Sequence, residues 1–158
     1  MVETRTTGTT DPALGRLVAE RLAAGVAVRL RVGGHCMSPC IRGGDVVTLE
    51  PLAGRRLGLG QILAFETSDS RLLIHRVVGW RRPREVLTRG DVSRRGDAPL
   101  APEAVLGTVS RVERSGRAVR LGLGPERLAL AWLSRLGLLR ALARFRWRFP
   151  RRGAGTSS

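Results

Sequence analysis

The sequence contains no lysine: all 28 of its basic residues are arginine. Chemistry that relies on a desolvated lysine as a base is therefore closed to it. No run of about 18 apolar residues occurs, so no segment reads as a simple membrane-spanning helix. The first ten residues are threonine-rich and lack the apolar core of a secretion signal. The only cysteines, Cys36 and Cys40, are four apart and make neither a disulfide framework nor a C-x-x-C metal knuckle. They read as free thiols of a reducing compartment. Heptads, internal repeats and low-complexity blocks are absent as well.

What is present describes a globular chain with an uneven charge. The 158 residues suit one domain, and 42% hydrophobic with 26% charged residues exclude a disordered chain. The net charge is +15. Residues 1–110 hold 16 arginines and 11 acids, net +5, whereas residues 111–158 hold 12 arginines and 2 acids, net +10. Anionic partners are thus expected at the C-terminal third.

Asp11-Pro12 has the form of a helix N-cap followed by proline at the first helical position. Leu14, Leu17, Val18 and Leu22 keep helical spacing, and Gly25 is the stop. From Val26 the apolar period changes to two, with Val28, Leu30 and Val32 alternating with Arg29 and Arg31, which predicts a half-buried strand. Further strands are expected over 45–50, 61–67, 71–80, 85–90, 105–114 and 117–121. Such short strands with Gly- and Pro-bounded turns predict a mainly β fold, a compact β-barrel or coiled sheet. A Leu- and Arg-rich helix is expected from Pro125 to about Arg148. The domain reading is a disordered N-terminus over 1–10, a β domain with its N-terminal helix over 11–122, the basic helix over 123–150, and a disordered tail over 151–158.

Four features of the β region carry chemistry: Cys36 in GHCMSP, Gly44-Asp45, His75 in LIHRVV, and the aspartates of TRGDVSRRGD, Asp91 and Asp97. Singly, each has a structural explanation, since buried cysteines pack, strand histidines hydrogen-bond and Gly-Asp pairs turn. Their order is more telling. Cys36-Met37-Ser38-Pro39, Gly44-Asp45, His75-Arg76-Val77, Thr88-Arg89-Gly90-Asp91 and Asp97 resemble, in sequence, the boxes of the signal peptidase I family. The resemblance is strongest to its endoplasmic-reticulum and archaeal-type branch, and it covers roughly residues 28–112. Leu106-Gly107-Thr108-Val109 is similar to the family's closing strand.

The resemblance implies a LexA/signal peptidase-like coiled β-barrel and an endopeptidase that takes extended peptides of the leader or signal type. It implies no cofactor and no metal. Related enzymes with a Ser-Lys dyad are excluded by the missing lysine, so the implied base is His75. By the same resemblance Asp97 orients His75, and Asp91 holds the turn or supports the pair. Gly34, Met37, Pro39 and Asp45 support the nucleophile's loop. The family's serine position is occupied here by Cys36. A thiol beside an imidazolium is activated as thiolate, so a Cys-His-Asp set is coherent. The residues before Cys36 are Gly34 and His35, so backbone N–H groups or His35 are left to bind an oxyanion.

Other readings of the same residues stay open. His35, Cys36, Cys40 and His75 supply two imidazoles and two thiolates, a donor set that zinc accepts, although adjacent His35 and Cys36 do not converge easily with Cys40. A catalytically inactive peptide-binding module would keep the groove without turnover. The C-terminal helix, with Trp132, Phe145, Trp147 and Phe149 interleaved with arginines, suits an in-plane helix on an anionic membrane surface over residues 125–152. Nucleic acid is the weaker partner for it, since no reading motif accompanies the basic residues. The expected location is peripheral to a membrane or cytoplasmic.

Overall fold

The computed structural model describes residues 12–81 and 84–141. Helix α1 (Pro12–Ala23) opens the chain and strands β1 (Val28–Arg31), β2 (Val46–Pro51), β3 (Ile62–Glu66), β4 (Leu72–Arg81) and β5 (Glu85–Arg89) follow. A single 3-10 turn at Pro102–Ala104 leads into β6 (Val105–Arg114) and the short β7 (Arg117–Ala118), and helix α2 (Arg127–Arg135) comes last. The fold is mainly β, as the period-two runs predict. Its seven antiparallel strands make one open sheet in the order β1-β2-β6-β3-β4-β5, with β7 extending β6 in a hairpin. The path ends at β1 and β5, so a closed barrel is not shown.

Register breaks bend this sheet. They fall between Thr48 and Leu49 on β2, Ala64 and Phe65 on β3, and Val77 and Gly79 on β4. Each such irregularity adds local twist and coils the strands around their own core. Strand β3 shows the result, since its first four residues are all buried. Ile62 and Ala64 join one apolar cluster with Leu30, Val47 and Leu49, whereas Leu63 and Phe65 join a second with Val77 and Val86. The sheet is therefore packed on both faces at its centre.

Helix α1 covers the first cluster. Leu14, Val18 and Leu22, spaced by four, are buried, while Leu17 sits at the edge of the stripe and is exposed. Burying a side chain of this size contributes about 1.5–3 kcal/mol. The helix ends as its glycine requires. Gly25 takes φ 77° and donates to Leu22 O, while Val26 donates to Arg21 O. These two bonds form a Schellman motif, which satisfies carbonyls the helix would leave unpaired.

The C-terminal helix is shorter than its leucine periodicity suggests. It stops at Arg135, where Leu136 and Gly137 turn and Gly137 has φ 72°. Residues 138–141 resume helical conformation. The break has a plain cause: glycine enters the left-handed region without steric cost, and leucine spacing carries no information about that. The expectations on Asp11, on residues 1–10, and on Phe145, Trp147, Phe149 and the tail lie outside the described residues. Among the described residues no helix is long and apolar enough to cross a membrane.

Leu49 is fully buried within the first cluster. Leu49→Ala lowers stability by about 2–5 kcal/mol, read from denaturant unfolding, whereas Leu17→Ala at the exposed edge changes it by less than about 1 kcal/mol.

Candidate active site

Strand β4 sends His75 and Arg76 to opposite faces, because neighbouring strand residues alternate. His75 lies opposite Leu63 of β3, and Val77 lies opposite Thr88 of β5. This puts His75, Val77 and Thr88 on one face. Asp97 reaches that face because the chain after β5 turns back along it. Asp97 N–H donates to Thr88 O at 3.0 Å, and Val86 and Leu100 exchange both backbone hydrogen bonds.

The imidazole is held from two sides. His75 Nδ1 is 2.7 Å from Asp97 Oδ2, and the Thr88 hydroxyl donates to the same oxygen at 2.7 Å. Phe65 packs against the ring with its centroid 6.1 Å away at an interplanar angle of 66°. With Nδ1 committed to a carboxylate, Nε2 is the nitrogen left for chemistry. Burial by itself pulls the His75 pKa down. The hydrogen bonds that the ring donates to Asp97 and then to Cys36, with the charges of both, outweigh it and raise the pKa to about 9. At neutral pH the ring is therefore an imidazolium, with a carboxylate on one side and the Cys36 sulfur as its other partner.

Cys36 arrives on the loop between β1 and β2. Its carbonyl accepts Val92 N–H at 2.9 Å, tying this loop to the turn after β5. Met37 and Ile41 anchor the same loop in the first core cluster. At the loop's exit Asp45 accepts Arg42 N–H at 2.8 Å and a two-pronged pair from Arg114 at 2.9 and 2.7 Å. Arg114 also donates to Cys40 O at 3.3 Å, so it links the interior of the loop and its exit to β6. Pro39 follows a cis peptide bond. Gly34 has no side-chain clash to avoid, as a Cβ there would meet nothing within 4 Å. His35 is exposed, with its ring lying over Gly43.

Gly90 makes the meeting of these elements possible. A Cβ at this position would lie 3.0 Å from His75 Nε2 and 3.1 Å from Cys36 Cβ, with Ser93 Oγ nearer still. The thiol-bearing carbon, the free imidazole nitrogen and a hydroxyl thus surround one point that only glycine leaves open. Ser93 and Thr88 had no predicted role. Thr88 lies nine positions before Asp97 in the chain, and Ser93 lies in a turn whose path no spacing rule reveals. The signal that was available is Gly90 itself, a glycine that its two boxes carry between the histidine strand and the aspartates.

Asp91 does not touch the imidazole. It pairs with Arg76 on the far face of β4, Nε to Oδ1 and Nη2 to Oδ2 both at 2.8 Å, with both side chains fully buried. Arg76 Nη1 also donates to Gly60 O and Gly122 O at 3.0 Å. Burial opposes the guanidinium charge, but the bonds and charge of Asp91 hold its pKa above the ordinary value. Cys40 sits in the same enclosed region, where burial and then the charge of Asp91 raise its thiol to about 11. Both cysteines are free thiols. The two have opposite surroundings: Cys36 half-exposed beside an imidazolium, Cys40 fully enclosed and kept protonated. Cys40 beside Arg76 and His35 over Gly43 also separate the donors of the zinc arrangement, and among the described residues no three His, Cys, Asp or Glu converge on a metal site.

Comparison with known proteins gives no match: no family model, no curated protein and no solved structure matches this chain.

Two outcomes follow from this geometry. Replacing either Arg76 or Asp91 alone strands a buried charge and costs about 3–5 kcal/mol, whereas Arg76→Met combined with Asp91→Leu costs less than the sum of the single changes. Thermal unfolding of the four proteins measures this coupling. Iodoacetamide labels Cys36 and spares Cys40 in the native protein near neutral pH, and His75→Ala slows the Cys36 reaction, as read by peptide mass spectrometry. Labelling of both thiols at equal rates would contradict the contrast in their surroundings.

Proposed function

We propose that this chain is an endopeptidase of the signal peptidase type that uses Cys36 as nucleophile, His75 as proton carrier and Asp97 as the group that orients His75. In this reading the coiled sheet is the LexA/signal peptidase-like β-barrel, and the substrate is an extended leader- or signal-type peptide. The observation that carries the proposal is the hydrogen-bonded line Thr88–Asp97–His75, whose open nitrogen meets Cys36 at the point Gly90 leaves empty.

The raised His75 pKa refines the expected role of this residue. A base must be neutral to take a proton, but an imidazole of pKa about 9 rests protonated. His75 therefore enters the reaction as the proton donor, and the species of Cys36 that reacts beside it is the thiolate. Cys36 Sγ attacks the scissile carbonyl carbon, the C=O electron pair moves to the oxygen, and a tetrahedral oxyanion forms. As the intermediate collapses, His75 Nε2–H gives its proton to the departing amine, leaving a thioester on Cys36. Water then attacks the thioester while the now neutral His75 takes one of its protons. The carboxylic acid leaves, and the proton on His75 restores the starting pair. Asp97 keeps the ring in one orientation and stabilises its charge throughout.

The Ser93 hydroxyl makes no hydrogen bond among the described residues and lies beside this point. It offers the side-chain donor for the oxyanion that His35, turned over Gly43, does not supply. Loss of one oxyanion donor typically costs about 100- to 1000-fold in kcat.

The test is cleavage of a peptide library scored by mass spectrometry. Cys36→Ala abolishes turnover, and Ser93→Ala lowers kcat about 100-fold with little change in KM. The sign of the pH dependence follows from the proton carrier. The leaving amine needs protonated His75, so the alkaline limb of the activity profile falls as pH rises through about 9. Turnover unchanged in Cys36→Ala would remove the thiol from the chemistry. Binding of extended peptides without cleavage, surviving His75→Ala, would make the chain a non-catalytic peptide-binding module.

A further inference from the structure

Outside the site, large apolar side chains stand exposed on one helix face. Leu128, Trp132 and Leu136, spaced by four along and just past α2, are 48%, 61% and 63% exposed. Trp80, near the end of β4, is 50% exposed and lines a cleft of about 280 Å³ with Trp132. Leu59, Val78, Ala131 and Arg135 line the rest of it. Isolated exposed leucines are ordinary, but two exposed tryptophans lining one apolar cleft, with Leu128 and Leu136 exposed at helical spacing on either side of Trp132, form a patch of the kind that marks an interaction surface.

The surroundings of the patch are basic. Arg135 borders the cleft and donates to Val78 O at 3.3 Å, while Arg81 and Arg84 are exposed next to Trp80 in sequence. Among the described residues from 127 to 141 the chain carries Arg127, Arg135 and Arg140 and no acid. Two acids lie near these segments, and Glu85 partly offsets Arg81. Glu126 is turned to the backbone N–H groups of Gly122 and Gly124, and Glu85 lies 3.8 Å from Arg81.

We infer that this face docks on an anionic lipid surface, with Trp80, Leu128, Trp132 and Leu136 at the acyl boundary and the arginines among the head groups. Tryptophan favours that boundary because its ring is apolar and its N–H is polar. A basic, apolar-faced helix lying in the interface gains from both terms at once. Nucleic acid would use the arginines and the stacking rings but leaves Leu128 and Leu136 without a role. The inference stands independently of any peptidase activity. It also positions the candidate site, because Arg89, next to Gly90, donates to Arg135 O at the end of α2 at 3.2 Å.

Sedimentation of the full chain with vesicles tests it, using phosphatidylcholine alone and phosphatidylcholine mixed with phosphatidylglycerol. The expected result is binding to the anionic vesicles only, weakened by salt, with a blue shift of tryptophan emission. Trp80→Ser combined with Trp132→Ser weakens binding about tenfold or more, and Leu136→Ser weakens it by a smaller factor. Leu17→Ser, exposed on α1, leaves it unchanged. Thermal melts equal to the parent's show that these surface variants fold. Three outcomes would overturn the inference: vesicle binding indifferent to the Trp and Leu136 changes, tighter binding of a single-stranded oligonucleotide that those changes abolish, or a dimer that they dissociate without any lipid binding.

Discussion

The buried pair of Arg76 and Asp91 is the constraint on which the rest of the molecule depends. A guanidinium with no solvent contact must spend its donors inside the protein or not be there at all. Arg76 spends them on Asp91, on Gly60 before β3 and on Gly122 before α2. One side chain of β4 thereby holds the turn after β5, the entry to β3 and the approach to the C-terminal helix. Isolated buried pairs are weak sources of stability, since desolvation offsets the attraction. The value of this one lies in geometry, because alternative paths of the three connecting segments would leave a buried charge unpaired.

The candidate site inherits its shape from that constraint. Asp91 is the residue after Gly90, so fixing Asp91 on one face of β4 fixes Gly90 at the rim where His75 emerges on the other. The loop bearing Cys36 is clamped separately, by Arg114 and Asp45 at its exit and by Val92 at its middle. Two anchored segments, tied to each other through Val92, thus meet at a glycine. Active groups held in this manner, on a rigid sheet with each partner oriented by a further hydrogen bond, are pre-organised for reaction. The electrostatics follow the same division. His75 keeps its proton because carboxylate and thiol outweigh burial, while Cys40, a few residues from Cys36, is held protonated by burial and by Asp91.

Much of this architecture was legible before any coordinates. The strands follow from period-two runs between glycines and prolines, and Gly25 ends α1 in the motif its position suggests. The boxes around Cys36, His75 and Asp97 named residues that the fold brings together. Other features were not legible. Leucine spacing ran on past Gly137, because periodicity reports which face is apolar and says nothing about a left-handed turn. The resemblance assigned Asp97 to the imidazole, but the partner of Asp91 was hidden: only the return of the loop along β5 puts Asp91 on the opposite face, against Arg76.

The sequence by itself determined the element types, the approximate strand limits, the basic C-terminal third and the absence of a lysine base. Each of these rests on local pattern or composition, which a linear reading captures. The tertiary structure alone decided that Asp91 belongs to Arg76, that Ser93 and Thr88 join the site, and that Trp80 and Trp132 line one cleft. These are contacts between segments far apart in the chain. Their partners are chosen by sheet register, by the bulges that coil the strands, and by the requirement that every buried charge find a counter-charge.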